Sequence, residues 1–133
     1  MCFLIDTNPE SETRKYWRRK KYVYKIVKEN LTNLNDMMYG TVRYSRGAKI
    51  TAGPFSIVES LEGPKSHHGI YVYATKRAAL YIAGAGGLHR VIKLKVNPSD
   101  LRHVSWREPP RSVSNTVATY GKVRVVATPR KRR

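Results

Sequence analysis

Two seven-residue stretches, YVYKIVK (22–28) and RVIKLKV (90–96), limit what this chain can fold into. In the second, Val91, Lys93 and Lys95 fall on one side and Ile92, Leu94 and Val96 on the other. That is the period of two expected of a strand with one face on a core. In the first, Val23, Lys25 and Val27 alternate with Tyr22, Tyr24, Ile26 and Lys28, so both sides are partly apolar, as in a central strand. Further short runs read as strands at 2–5, 55–58, 69–73, 102–106 and 120–127. Tyr39–Tyr44 and Lys49–Thr51 flank the turn signal Ser45-Arg46-Gly47, which predicts a hairpin. Thr75 is placed to cap a short helix from Lys76 to Ala83 that Gly84 stops, whereas residues 10–21 read as a loop or a short helix. The prediction is an α+β domain: a mostly antiparallel sheet of short strands with one short helix, spanning 1–129, followed by a basic tail at 130–133.

Charge sets the functional expectation. The 133 residues carry 26 Lys+Arg against 9 Asp+Glu, a formal net charge of +17. Self-repulsion at that level opposes compaction, so an anionic partner explains it better than any need of the fold. A nucleic-acid backbone fits, because Lys and Arg gain affinity by displacing its condensed counterions. One basic block, Arg14, Lys15, Tyr16, Trp17, Arg18, Arg19, Lys20, Lys21 and Tyr22, interleaves cations with aromatics. Bases stack on such rings while cations track phosphates, so Trp17 and the block's cations form the first candidate interface. The second is Arg130, Lys131, Arg132 and Arg133. Arg43, Arg46 and Lys49 around the 45–47 turn form a secondary one, equally readable as a solvated loop.

Signals for chemistry are sparse. Cys2 is the only cysteine, which excludes an intramolecular disulfide and points to a reducing, intracellular setting. Its thiol is a candidate nucleophile if Met1 is removed, although a lone Cys in an apolar run reads first as a small core residue. His67 and His68 are adjacent, point to opposite sides of an extended chain and lack ligands at metal spacing. Gly84-Ala85-Gly86-Gly87 follows a helix, whereas phosphate-cradling loops precede one. No catalytic residue, metal or cofactor is assigned. Apolar runs such as 78–83 are too short to span a bilayer, and Asp6 directly after the apolar start departs from the order of a signal peptide.

Met1, Cys2, Phe3, Leu4, Ile5, Asp6 and Thr7, followed by Tyr24-Lys25-Ile26-Val27 and by Gly69–Tyr73 leading into Ala78–Ala83, make the chain similar to a loose set of short phage and bacterial proteins. That resemblance implies a phage or mobile-element origin. Gly69–Leu101 also resembles the ADP-ribosyltransferase-like fold, which implies a catalytic glutamate on a late strand; no Asp or Glu follows Glu108. The resulting expectation is a non-enzymatic, phage-encoded accessory protein that binds nucleic acid or another polyanion, with a ribonucleoprotein or a defence complex as its host target. The alternatives are an enzyme, on that scaffold or using Cys2, and a virion protein touching packaged genome.

Overall fold

The structure is a computed structural model that describes residues 3–6, 12–32, 42–52, 56–58, 65–67, 69–84, 89–107 and 116–128. Cys2, His68, residues 85–88 and the tail 130–133 lie outside the described residues. The elements in chain order are β1 (Phe3–Asp6), α1 (Glu12–Arg18), β2 (Tyr22–Lys28), β3 (Lys49–Thr51), β4 (Ser56–Val58), β5 (Lys65–His67), β6 (Ile70–Tyr73), α2 (Lys76–Ala83), β7 (His89–Lys95), β8 (Leu101–Arg107), β9 (Val117–Tyr120) and β10 (Lys122–Ala127). Eight strands form one sheet in the order β1-β8-β9-β6-β2-β7-β10-β3, and β4 pairs with β5 apart from it. Every pairing is antiparallel. The class is α+β.

The alternation read from the sequence sets the two sides of the sheet. Directly paired residues share a face. Val23 pairs with Leu94 and Lys25 with Ile92, so these four look the same way, with Val27. Val123 and Ile50 continue that side on β10 and β3, as do Val72 and Ala118 on β6 and β9. The side chains of this face form one buried cluster drawn from both ends of the sheet, so the sheet curls around a shared core. β6 and β2 meet at one register pair, Tyr24–Tyr73. Across that narrow seam Lys25, almost fully buried on the core side, donates from Nζ to the Tyr71 carbonyl at 2.9 Å and lies 5.6 Å from the Tyr44 ring centre. A buried ammonium without such acceptors would be costly.

Both helices are explained locally. α2 begins at Thr75, whose hydroxyl accepts from the Ala78 N–H at 3.1 Å, and ends at Gly84 with φ +75°. It packs on β2, β7 and β6. Ile26 points away from the core cluster and is still buried, which puts α2 over the outer face at that end of the sheet. The charged stretch that left loop and helix open is helical from Glu12: an acid in the first turn and Lys15 and Arg18 in the last complement the helix dipole. At seven residues α1 would not hold alone, and the buried Trp17 side chain anchors it.

The hairpin expected between 39–44 and 49–51 is corrected. β3 pairs with β10, while Arg43 bridges to Thr32 beyond the end of β2; residues 39–41 lie outside the described residues. The turn itself is present, with Ala48 N–H donating to the Ser45 carbonyl at 2.9 Å and Gly47 at φ +83°. It delivers Ile50 to the core beside Val123 instead of folding the chain back on itself.

Tyr120, also in the core, has a hydroxyl with no hydrogen-bond partner among the described residues, and burial pushes its pKa up. Tyr120→Phe removes that desolvated group and keeps the ring. We expect a gain of about 1 kcal/mol in folding stability, read as a higher urea midpoint at unchanged slope. A loss of stability would show that the hydroxyl has a partner.

Candidate nucleic-acid interface

The first basic block does not form one exposed surface. Arg18, Arg19 and Lys21 are exposed, whereas Arg14, Lys15 and Lys20 are half-buried. Lys20 sits 5.6 Å from the centre of the Tyr16 ring, and partial burial lowers its pKa while raising that of Tyr16. Arg14 faces inward enough to act on His103, whose pKa is lowered first by burial and then by the Arg14 guanidinium. Trp17 is corrected outright. It is fully buried, its indole N–H donates to Thr116 Oγ1 at 2.8 Å, and its ring lies 6.4 Å from Tyr120 and 6.2 Å from Tyr16. No base can stack on it. An aromatic within a basic run was the signal for binding, but the same residue is what ties a short charged helix to the core.

The cations the fold brings together lie elsewhere, on the outer face of β2, β7, β10 and β3. Tyr22 pairs with Lys95, Lys95 with Arg124 and Arg124 with Lys49. Because paired residues share a face, these four form a row across four strands, and all four are exposed. Lys93 and Lys122 lie two residues along their strands on the same face, and Lys93 Nζ is 4.5 Å from the centre of the Tyr22 ring. Neighbouring strands are about 4.8 Å apart, so the row sets cations at roughly that interval. Like charges directly opposite one another are destabilising. None of β2, β3, β7 and β10 contains an acid. The ion pair resolved near this half of the sheet, Arg90 to Glu29 at 3.5 Å, is on the β2–β7 ladder's other end, where Lys28 pairs with His89.

Two earlier candidates join this row. Lys49 is its last member, and Arg46 is exposed in a turn held against β10 by the bond from Gly47 N–H to the Val125 carbonyl at 2.9 Å. Lys21 stands at the same end of the sheet as Tyr22, its carbonyl accepting from Val96 N–H at 2.9 Å. Arg43, paired with Thr32, is beyond the opposite end of β2 and does not belong. Lys93, Lys95, Lys122 and Arg124 were not singled out from the sequence. The signal was present in the strand alternation that put Lys93 and Lys95 on the non-core side, but only strand order places them beside Arg124 and Lys49.

Among the described residues no three His, Cys, Asp or Glu side chains group to hold a metal ion, and no helix is long and apolar enough to cross a membrane. Set against family models, curated proteins and solved structures, the chain matches none of them. What defines the protein is thus its own geometry: an α+β domain whose curled antiparallel sheet carries a basic face built on four strands that contain no acid.

Proposed function

We propose that this protein binds nucleic acid through the outer face of β2, β7, β10 and β3, neutralising backbone phosphates with Lys49, Lys93, Lys95, Lys122 and Arg124. The observation that carries the reading is the row Tyr22–Lys95–Arg124–Lys49, three cations side by side without an acid on any of the four strands. Such a row works against the folded sheet until an anion lies across it. Phosphates at regular spacing are the anion that suits a line of cations, and the net charge of +17 supplies long-range attraction. Arg46, Lys21, Arg18 and Arg19 widen the basic surface around that line. We extend the proposal to an accessory role within a host cell, with a ribonucleoprotein as the kind of target.

The test is a fluorescence titration of labelled single- and double-stranded oligonucleotides at rising salt. Each neutralised phosphate contributes about −0.7 to −0.9 to the slope of log K against log salt, so five contacts give roughly −3.5 to −4.5. Binding that ignores salt, or no binding at low salt, would remove this function.

A further inference from the structure

Two exposed tyrosines, one on the basic face and one on the helix that crosses the same side of the sheet, remain without a role. Tyr22 is 40% exposed at the head of the row, and Tyr81 on α2 is 83% exposed beside Leu80 at 49%. Topology relates them. β6 ends at Tyr73, which pairs with Tyr24, and Tyr24 also pairs with Lys93. Thr75 caps α2 immediately afterwards, and β7 starts at His89 opposite Lys28. α2 therefore begins at the β6 end of the line Tyr73–Tyr24–Lys93 and runs across the outer face toward the Lys28 end. Its first turn carries Lys76 and Arg77, both exposed and with no acid in that turn. The helix dipole disfavours cations there, a second local cost that a bound anion would relieve. Tyr81 follows about 7.5 Å further along the axis at 1.5 Å per residue.

Resting on the nucleic-acid reading above, we propose that the ligand is single-stranded, with bases stacked on Tyr22 and Tyr81 and the backbone followed by Lys95, Lys93, Lys76 and Arg77. A duplex keeps its bases stacked inside and offers this face only phosphates, which would leave both rings idle. A single strand offers base faces at intervals along the same charged track, and stacking on tyrosine tolerates any sequence. Lys93 lies against the Tyr22 ring at 4.5 Å, so a phosphate contact and a ring contact are adjacent at that point. Tyr81, held by a capped helix, presents its ring to solvent without touching the core.

Fluorescence anisotropy with single strands of DNA and RNA and with a duplex of equal length, at one fixed salt concentration, tests this. The wild type should bind single strands about tenfold or more tightly than duplex. Tyr81→Ala should lose about tenfold for single strands and nothing for duplex, with an unchanged melting temperature, and Tyr81→Phe should restore the preference. Equal affinity for both forms, or a Tyr81→Ala variant that keeps the single-strand preference, would overturn the single-strand proposal while leaving the basic face as a phosphate-binding surface. Binding to neither form would overturn the nucleic-acid reading itself, and this proposal with it.

Discussion

Trp17→Ala is expected to lower folding stability by about 3–5 kcal/mol, the range for truncating a fully buried large aromatic. Native domains hold only about 5–15 kcal/mol in total, so the variant should be largely unfolded under mild denaturant. Three features set the size. The side chain is completely removed from water, its ring contacts Tyr120 in the centre of the core, and its N–H satisfies Thr116, itself buried. The damage should spread to α1, whose seven residues have no other fully buried side chain. Trp17→Phe divides the effect: it keeps most of the ring and removes the bond to Thr116 Oγ1, for a smaller loss of about 1 kcal/mol from that bond. Urea unfolding followed by far-ultraviolet circular dichroism reads both. A Trp17→Ala protein that melts like the wild type but no longer binds oligonucleotide would return the indole to the surface.

Trp17 also shows where sequence reasoning stops. The strands were legible because alternation is local: the sides of β2 and β7 follow from counting by two. Lys25 shared a side with Val23 and Val27 in that count, but that this side faces the core, and that the Tyr71 carbonyl and the Tyr44 ring receive the ammonium there, depends on distant segments. The caps of α2 were legible for the same reason, since Thr75 and Gly84 act within one turn. β3 was assigned to the wrong neighbour because a turn at 45–48 is compatible with a hairpin and with delivery to a distant edge. The choice was made by apolar pairing with β10, which local spacing does not encode. The basic face follows the same logic. Each strand announces its outward cations, but their assembly into a row depends on the order β2-β7-β10-β3 and on register.

Register makes the row's central residue the most informative to reverse. Arg124 lies between Lys95 and Lys49, paired with each. Arg124→Glu turns two repulsive cross-strand pairs into attractive ones, worth about 0.2–1 kcal/mol each, so the variant should melt at or above the wild-type temperature. Binding should move the other way. One phosphate contact is lost, and a carboxylate now repels the backbone at the middle of the track. The salt slope should shrink by about 1 or more, and affinity should fall by at least tenfold at low salt for every sequence tried. Opposite signs for stability and affinity are the signature of a surface held in an unfavourable arrangement for the sake of its ligand. Arg43→Glu, beyond the other end of β2, is the matched control and should leave binding nearly intact. If Arg124→Glu binds like the wild type while Arg18→Glu and Arg19→Glu abolish binding, the interface belongs to the end of α1 and the sheet row is an ordinary solvated face.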